Sequence, residues 1–275
     1  MRPIWLLQSS GINVSEADYW FADNTRFLDY GLIPFTDTIS NIATVYSTWK
    51  EYGGKFITRG GTKLLTSFSN ECLILNNIDD QTFIDELHYS VWWNKEKFDQ
   101  KYYSTLDLPL VNGVAEYHTL SDVWNMSLDK DMFIKPSSDG KAFSGGIIRA
   151  GVSVKDFIEN TMRKQNIENE TILISTLKQS QEEYRFFCYS DTVITGSQYM
   201  KDGKVSPLAI ADNHVAYSYA TDYARLYQPD EIFVMDIGRF NNKWEIVEYN
   251  CANCSGVYKC NLDKLVSEWE MFVNK

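Results

Sequence analysis

Cysteine, histidine and proline are all scarce, at 5, 3 and 6 of 275 residues. An odd, sparse cysteine count argues against a disulfide framework and fits reduced thiols inside a cell. The three histidines, His88, His118 and His214, are far apart. None stands beside a Ser or Cys in a nucleophile motif, which removes triad chemistry. Glycine-rich nucleotide signatures are missing as well. There is no Gly-x-Gly-x-x-Gly, and Arg59-Gly-Gly-Thr-Lys63 lacks the spacing of a Walker A loop, so it reads as a turn. Basic residues are outnumbered, 26 Lys and Arg against 37 Asp and Glu, for a net charge of −11. That balance excludes a nucleic-acid-binding surface over the molecule, although a local basic pocket is compatible with it. No stretch approaches the roughly 20 uncharged apolar residues that span a bilayer. The first apolar run, Ile4 to Leu7, is too short for a secretory signal. A cytoplasmic protein without membrane association is therefore expected. Neither an internal repeat nor a Ser/Gly/Pro linker is present. What abounds is apolar and aromatic, 44% and 15% of the chain, enough for a real core in one large domain or two to three small ones.

Changes of pattern divide the chain. Short apolar runs at Arg2 to Gln8, Leu32 to Phe35, Lys55 to Thr58 and Cys72 to Leu75 read as strands. Helical stretches at Ser15 to Tyr30 and Asp79 to His88 alternate with them. Such alternation predicts a small α/β unit over residues 1–90 with a partly parallel sheet. Residues 91–130, rich in aromatics and charge, predict helices joining two halves. From Met132 onward strands and tight turns dominate: Met132 to Lys135 stopped by Pro136, Gly146 to Ala150, Thr171 to Leu177, Glu183 to Tyr189 and Val193 to Met200. Helices are predicted at Val154 to Lys164, with Ser153 as N-cap, and at Tyr217 to Tyr227. A hairpin follows around Asn241-Asn242, and a C-terminal helix carries Leu262, Leu265, Val266, Trp269, Phe272 and Val273 on one stripe. Residues 131–275 therefore read as a sheet-rich domain, and the whole as an α+β protein.

The last hairpin is the most informative feature. Side chains alternate along a strand, so Glu248 and Asn250 share a face. Asp236 interrupts the apolar run Ile232-Phe-Val-Met-Asp-Ile, and a carboxylate there is costly to bury unless paired or metal-bound. A three-residue loop, Asn241 to Lys243, sets Asp236 directly across from Glu248. Two opposed carboxylates and the Asn250 carbonyl are hard oxygen donors suited to Mg²⁺; the plainer alternative is an exposed polar face. A second feature is the loop between two strands, Lys135-Pro-Ser-Ser-Asp-Gly-Lys141-Ala-Phe-Ser144-Gly145-Gly. Its backbone N–H groups, hydroxyls and two lysines suit phosphate oxygens, but a solvated hairpin reads the same way. Third, Arg185 lies within the apolar strand Glu183-Tyr-Arg-Phe-Phe187. A buried arginine there calls for phosphate or for a carboxylate such as Glu183 or an Asp. Thr171 to Leu177 is either a subdomain connector or a plain buried strand. Cys251-Ala-Asn-Cys254 with Cys260 has half of a zinc spacing and otherwise reads as small, half-buried thiols.

Taken in order, these pieces resemble the ATP-grasp superfamily. The segments are Lys135-Pro136, Lys141-Ala-Phe-Ser-Gly145, Glu183-Tyr-Arg185-Phe-Phe187, Gly196-Ser-Gln-Tyr199, Asp236 and Glu248-Tyr-Asn250. They are similar to a divergent clade found in many phage and bacterial proteins that includes a eukaryotic protein assembling a translation initiation factor. Many relatives carry Arg where Lys135 stands, and a lysine loses the planar two-pronged grip. The resemblance, over about residues 130–260, implies an ATP-grasp domain preceded by a small pre-grasp domain. It implies that Lys135, Lys141 and Arg185 contact the ATP phosphates, that Ser144 and Gly145 belong to a loop closing over the nucleotide, and that Ser175, Thr176, Leu177 and Lys178 meet adenine. Asp236, Glu248 and Asn250 would hold Mg²⁺, and one of Lys95, Lys97 or Lys101 would add a phosphate contact. The implied activity is ATP- and Mg²⁺-dependent ligation of a carboxylate to an amine through an acylphosphate, on a peptide or protein substrate. The alternative is an ATP-binding assembly chaperone without turnover. Conservative replacement of Asp236 or Glu248 is expected to spare the fold and abolish Mg²⁺-dependent turnover.

Overall fold

A computed structural model describes residues 2–9, 20–21, 23–25, 33–34, 38–61, 65, 68–140, 142–162 and 166–275. Lys141 and most of the expected Ser15 to Tyr30 helix lie outside the described residues. The chain divides into two compact units, Met1–Trp93 with Ala252–Lys275, and Asn94–Cys251. Residues 252–275, which the sequence pattern groups with 131–251, thus group with the N-terminal segment.

The first unit is built on a three-stranded parallel sheet. Strand β1 (Ile4–Ser9) lies between β2 (Ile33–Pro34) and β3 (Phe56–Arg59). A parallel strand covered on both faces reads as a continuous apolar run rather than an alternation, and Ile-Trp-Leu-Leu is such a run. On one side Ile4, Leu6 and Phe56 meet Ile42 and Val45 of helix α1 (Thr38–Tyr52) and Phe83 and Leu87 of a later helix. On the other, Trp5 stacks on Trp269 of the C-terminal helix at 5.8 Å. The short turn after the last strand of the second unit is locked to β3 by Asn253. Its amide donates to the carbonyls of Thr58 at 2.6 Å and Ser90 at 2.9 Å, and its Oδ1 accepts the Trp92 N–H at 2.9 Å. The apolar run Cys72 to Leu75, expected as a strand, is the helix α2 (Asn70–Leu75). Leu73 is buried while Ile74 and Leu75 are exposed, and Asn77 ends the turn at φ 55°. Asparagine tolerates that left-handed geometry, which closes helices. Helix α3 (Gln81–Tyr89) forms where periodicity predicts it, capped by Asp80.

The second unit contains two antiparallel sheets. Helix α4 (Gln100–Tyr103) precedes β4 (Ala115–Thr119) and α5 (Leu120–Val123). Strand β4 is a correction to the purely helical joining segment expected at 91–130: Ala-Glu-Tyr-His-Thr has little apolar alternation and is held by backbone pairing to a neighbour. Next come β5 (Met132–Pro136), β6 (Gly146–Ile148), α6 (Val154–Thr161) and β7 (Thr171–Thr176). Together they give the sheet order β4-β7-β5-β6. Its core is Ile134, Ile148, Ile172 and Ile174 against Val154 and Ile158 of α6. The larger sheet uses β8 (Ser180–Tyr189), β9 (Thr192–Lys201), β10 (Lys204–Ala209), β11 (Ile232–Phe240) and β12 (Lys243–Cys251), in the order β10-β9-β8-β11-β12. Helix α7 (Val215–Leu226) lies between β10 and β11 in sequence and packs on this sheet through Tyr217, whose ring meets Phe186 at 5.0 Å. The stripe predicted for the C-terminus is α8 (Leu262–Val273) of the first unit. Among the described residues no helix is long and apolar enough to cross a membrane.

The turn joining β11 and β12 has two residues, not three. Phe240 pairs with Lys243, and Asn241 and Asn242 take φ of 49° and 64°, the geometry of a tight hairpin. Asp236 nevertheless faces Glu248, because the register shifts between Asp236 and Ile237 and leaves Val247 as an extra residue. A β-bulge, not a longer loop, brings the carboxylates together.

Candidate functional site

Strand register builds the site. Ser197 on β9 pairs with Arg185 on β8, Arg185 with Asp236 on β11, and Asp236 with Glu248 on β12. Residues directly opposite in adjacent strands share a face, so these four form one row, and Asn250 joins them two residues beyond Glu248. The Arg185 guanidinium grips Asp236 with two prongs, Nε to Oδ1 at 2.8 Å and Nη2 to Oδ2 at 2.7 Å. Both side chains are buried, 9% and 2% exposed. Arg185 is thus explained first by an Asp, one of the two partners its strand position calls for.

The other cation comes from the smaller sheet. Ile134 faces that sheet's core, so its neighbour Lys135 projects the opposite way, and its Nζ reaches Glu248 Oε2 at 2.8 Å. The Asn250 amide closes the set. Its Nδ2 lies 3.1 Å from Glu248 Oε1 and 3.4 Å from Asp236 Oδ2. One amide end therefore sits against both carboxylates. Turning the amide over presents its oxygen to the same two groups, an arrangement that requires a cation among them. The donors are all hard oxygens, so the residues present fit a Mg²⁺ ion.

The loop after β5 is pinned at both ends. Ser137 donates from its hydroxyl to the Asp99 carboxylate and accepts the Lys101 N–H at 2.9 Å, while its carbonyl accepts the Gln100 N–H at 2.9 Å. Farther along, Asp139 Oδ2 accepts the Cys251 N–H at 2.9 Å, tying the loop to the residue after Asn250. At the far end Gly145 runs so close to β5 that a Cβ there would stand 2.7 Å from the Lys135 Cβ. The glycine is required by close approach. Gly145→Ala is expected to push the loop off Lys135, lowering stability by about 1–3 kcal/mol as overpacking does. It should weaken nucleotide binding in parallel, as read by thermal melting and calorimetry; a variant that melts and binds as the wild type would contradict this.

Lys135, Ser144, Gly145, Glu248 and Asn250 all line one cleft of about 350 Å³. Arg185 and Asp236 are tied to it through Asn250 but do not form its wall. Phe98, Tyr103, Phe133, Phe143 and Tyr249 also line it, and sequence reasoning missed them, because aromatic abundance alone does not separate a cleft wall from a core. The four residues expected at adenine do not line this cleft. The Ser175 hydroxyl donates to Asn112 Oδ1 at 2.9 Å, and Lys178 Nζ holds both oxygens of Glu245 at 2.8 and 2.9 Å. Thr176 and Leu177 are exposed. None of Lys95, Lys97 and Lys101 lines the cleft either. Cys251 and Cys260 are buried and Cys254 is half-buried, and among the described residues no group of three or more His, Cys, Asp or Glu side chains is arranged to hold a metal ion.

A third carboxyl, Glu183, shares the Arg185 face and is 8% exposed. Burial raises its pKa above the ordinary carboxylate range, and the nearby Asp236 and Glu248 raise it further against the hydrogen bond from Tyr199. Burial likewise pushes the Tyr199 phenol well up, so it stays protonated and donates.

Known proteins resemble the chain in fold. The family model described as ATP-grasp domain, R2K clade family 2, matches residues 115–273. Among solved structures, D-alanine–D-alanine ligase from Bacillus anthracis is similar at 9% identity and a TM-score of 0.52, covering 99% of this chain and 97% of that one. The same ligase complexed with ATP gives 10% identity, coverage of 91% and 86%, and a TM-score of 0.50. The ATP-grasp ligase PsnB complexed with minimal precursor, Mg and ADP gives 11%, 94% and 75%, and 0.40. No curated protein matches. The family match and the two D-alanine–D-alanine ligase structures share the ATP-grasp fold, of α+β class as expected.

Proposed function

The chain belongs to family 2 of the R2K clade of ATP-grasp domains, and from that premise we propose that it is an ATP- and Mg²⁺-dependent ligase. It joins a carboxylate to an amine through an acylphosphate, with a peptide or protein as substrate. The observation that carries the reading is one cleft lined by Lys135, Glu248 and Asn250, with the buried Arg185–Asp236 pair joined to it through Asn250.

In the proposed reaction a substrate carboxylate oxygen attacks the γ-phosphorus, and the bond to the β-phosphate bridging oxygen breaks to release ADP. The amine nitrogen then attacks the acyl carbon and loses its proton, and the C–O bond to phosphate breaks. The chain's own part is electrostatic and positional. Lys135, Lys141 and Arg185 neutralise phosphate charge, and the pinned loop carrying Ser144 and Gly145 excludes water above the nucleotide. Mg²⁺ held by Asp236, Glu248 and Asn250 would supply further charge neutralisation on the phosphate oxygens.

The test is ADP release from Mg·ATP in the presence of candidate peptides and amino acids. ADP accumulating only with a particular amine and carboxylate supports the ligase. Tight Mg·ATP binding without turnover under any acceptor assigns ATP instead as a structural ligand, as in an assembly chaperone. Lys141→Ala is expected to weaken Mg·ATP binding about tenfold, as loss of one phosphate-facing charge does. Calorimetry checks it, and unchanged affinity removes Lys141 from the phosphate site.

A further inference from the structure

Tyr199 is the extra residue of a bulge in β9. Glu183 pairs with Met200 and Tyr184 with Gln198, so the register skips Tyr199. Bulges re-aim side chains and concentrate beside functional sites. Here the ring supports the Arg185 guanidinium, whose carbon lies over it at 5.7 Å from the centroid. The far end of the ring is fixed in turn, because the phenol donates to Glu183 Oε2 at 2.5 Å. Asp236 thus holds the guanidinium along one edge while the ring holds it from its side.

We propose that Tyr199 is a positioning residue for Arg185, anchored by Glu183, so that the guanidinium meets phosphate in one fixed orientation; this rests on the nucleotide-dependent reading above. A plain packing role is a poor account of the trio. Filling the space beside β8 needs only an apolar side chain, whereas a buried Glu183 near Asp236 and Glu248 gathers three carboxyls on one side of the sheet, which is unfavourable unless it serves something. A ring under a guanidinium is a recognised electrostatic attraction, and a misplacement of about 1 Å at a phosphoryl-transfer site is enough to lower its rate.

The experiment combines calorimetry with Mg·ATP and the Arg185 Nε–Hε NMR signal. Y199F keeps the ring and loses its anchor; Y199L loses the ring. Y199F is expected to weaken Mg·ATP about two- to threefold with the Arg185 signal little moved, and Y199L about tenfold with the signal shifted by loss of the ring current. R185K keeps a charge opposite Asp236 but lacks the planar fork, so in that background Y199L should add less than about twofold. A structural role alone predicts full weakening in both backgrounds, and that result overturns the proposal, as does an unmoved Arg185 signal in Y199L. If no form of the protein binds Mg·ATP, the nucleotide reading fails, and the Arg185 signal alone still decides the positioning. Should Y199L not fold, Y199M, which also removes the ring, is read in its place, and an unmoved Arg185 signal there overturns the proposal too.

Discussion

Glu248→Gln is expected to remove Mg²⁺-dependent ADP release, by about 10² to 10³-fold, while the protein still folds and melts close to the wild type. The two halves of that expectation have different physical origins. Rate losses of this order follow when one preorganised charge is taken from a site that stabilises a charged transition state. Stability barely changes because Glu248 is 31% exposed and its pair with Lys135 is partly solvated. Exposed ion pairs contribute about 0–1 kcal/mol. Glutamine also keeps an oxygen in reach of the Lys135 ammonium and the Asn250 amide. ADP release measured against Mg²⁺ concentration, with melting in parallel, checks both halves. Undiminished turnover in Glu248→Gln would remove Glu248 from the metal site and with it the proposed mechanism.

Asp236 is a different case, and the contrast shows what the sequence could and could not disclose. Its place in the apolar run Ile232 to Ile237 announces a carboxylate in need of a partner. A metal is one answer the sequence allows, and an Arg185–Asp pair is another. Nothing in the spacing between residues 185 and 236 chooses, because the pairing of β8 with β11 is a long-range event across an intervening hairpin and helix. The opposition of Asp236 and Glu248 was legible, but its cause was not. Counting inward from Asn241-Asn242 cannot tell a three-residue turn from a two-residue turn followed by a bulge at Val247. Lys135 was legible from the strand that ends at Pro136, since alternation with Ile134 already puts it off the core. The aromatic wall of the cleft was not, because Phe98 and Tyr103 come from a segment whose pattern signals only a helix. Tyr199 was visible as part of a motif, yet its contact with Arg185 depends on a register shift that no periodicity reveals. In general, local chemistry and alternation were readable, and bulges and cross-strand partners were not.

The Arg185–Asp236 pair itself gives the second large effect. Replacing either member alone, by Arg185→Met or Asp236→Leu, is expected to destabilise the protein by about 3–5 kcal/mol, because each leaves an uncompensated charge in a buried place. Even Asp236→Asn, which the sequence suggests would spare the fold, removes the charge facing a 9%-exposed guanidinium and should lower stability measurably. With about 2–4 °C of melting temperature per kcal/mol for chains of comparable size, the single replacements should melt roughly 10 °C lower. The double replacement should recover most of that loss, since a buried ion pair exchanged for apolar side chains of similar volume is often neutral or stabilising. It should not recover Mg·ATP binding. A double variant that is stable and blind to nucleotide would therefore show that the pair persists for its chemistry and not for the fold. If the single variants melt within about 1 °C of the wild type, solvent must reach the pair, and the burial on which this argument stands would be wrong. If the double variant melts as low as either single one, the loss comes from disturbed packing across β8 and β11 rather than from stranded charge.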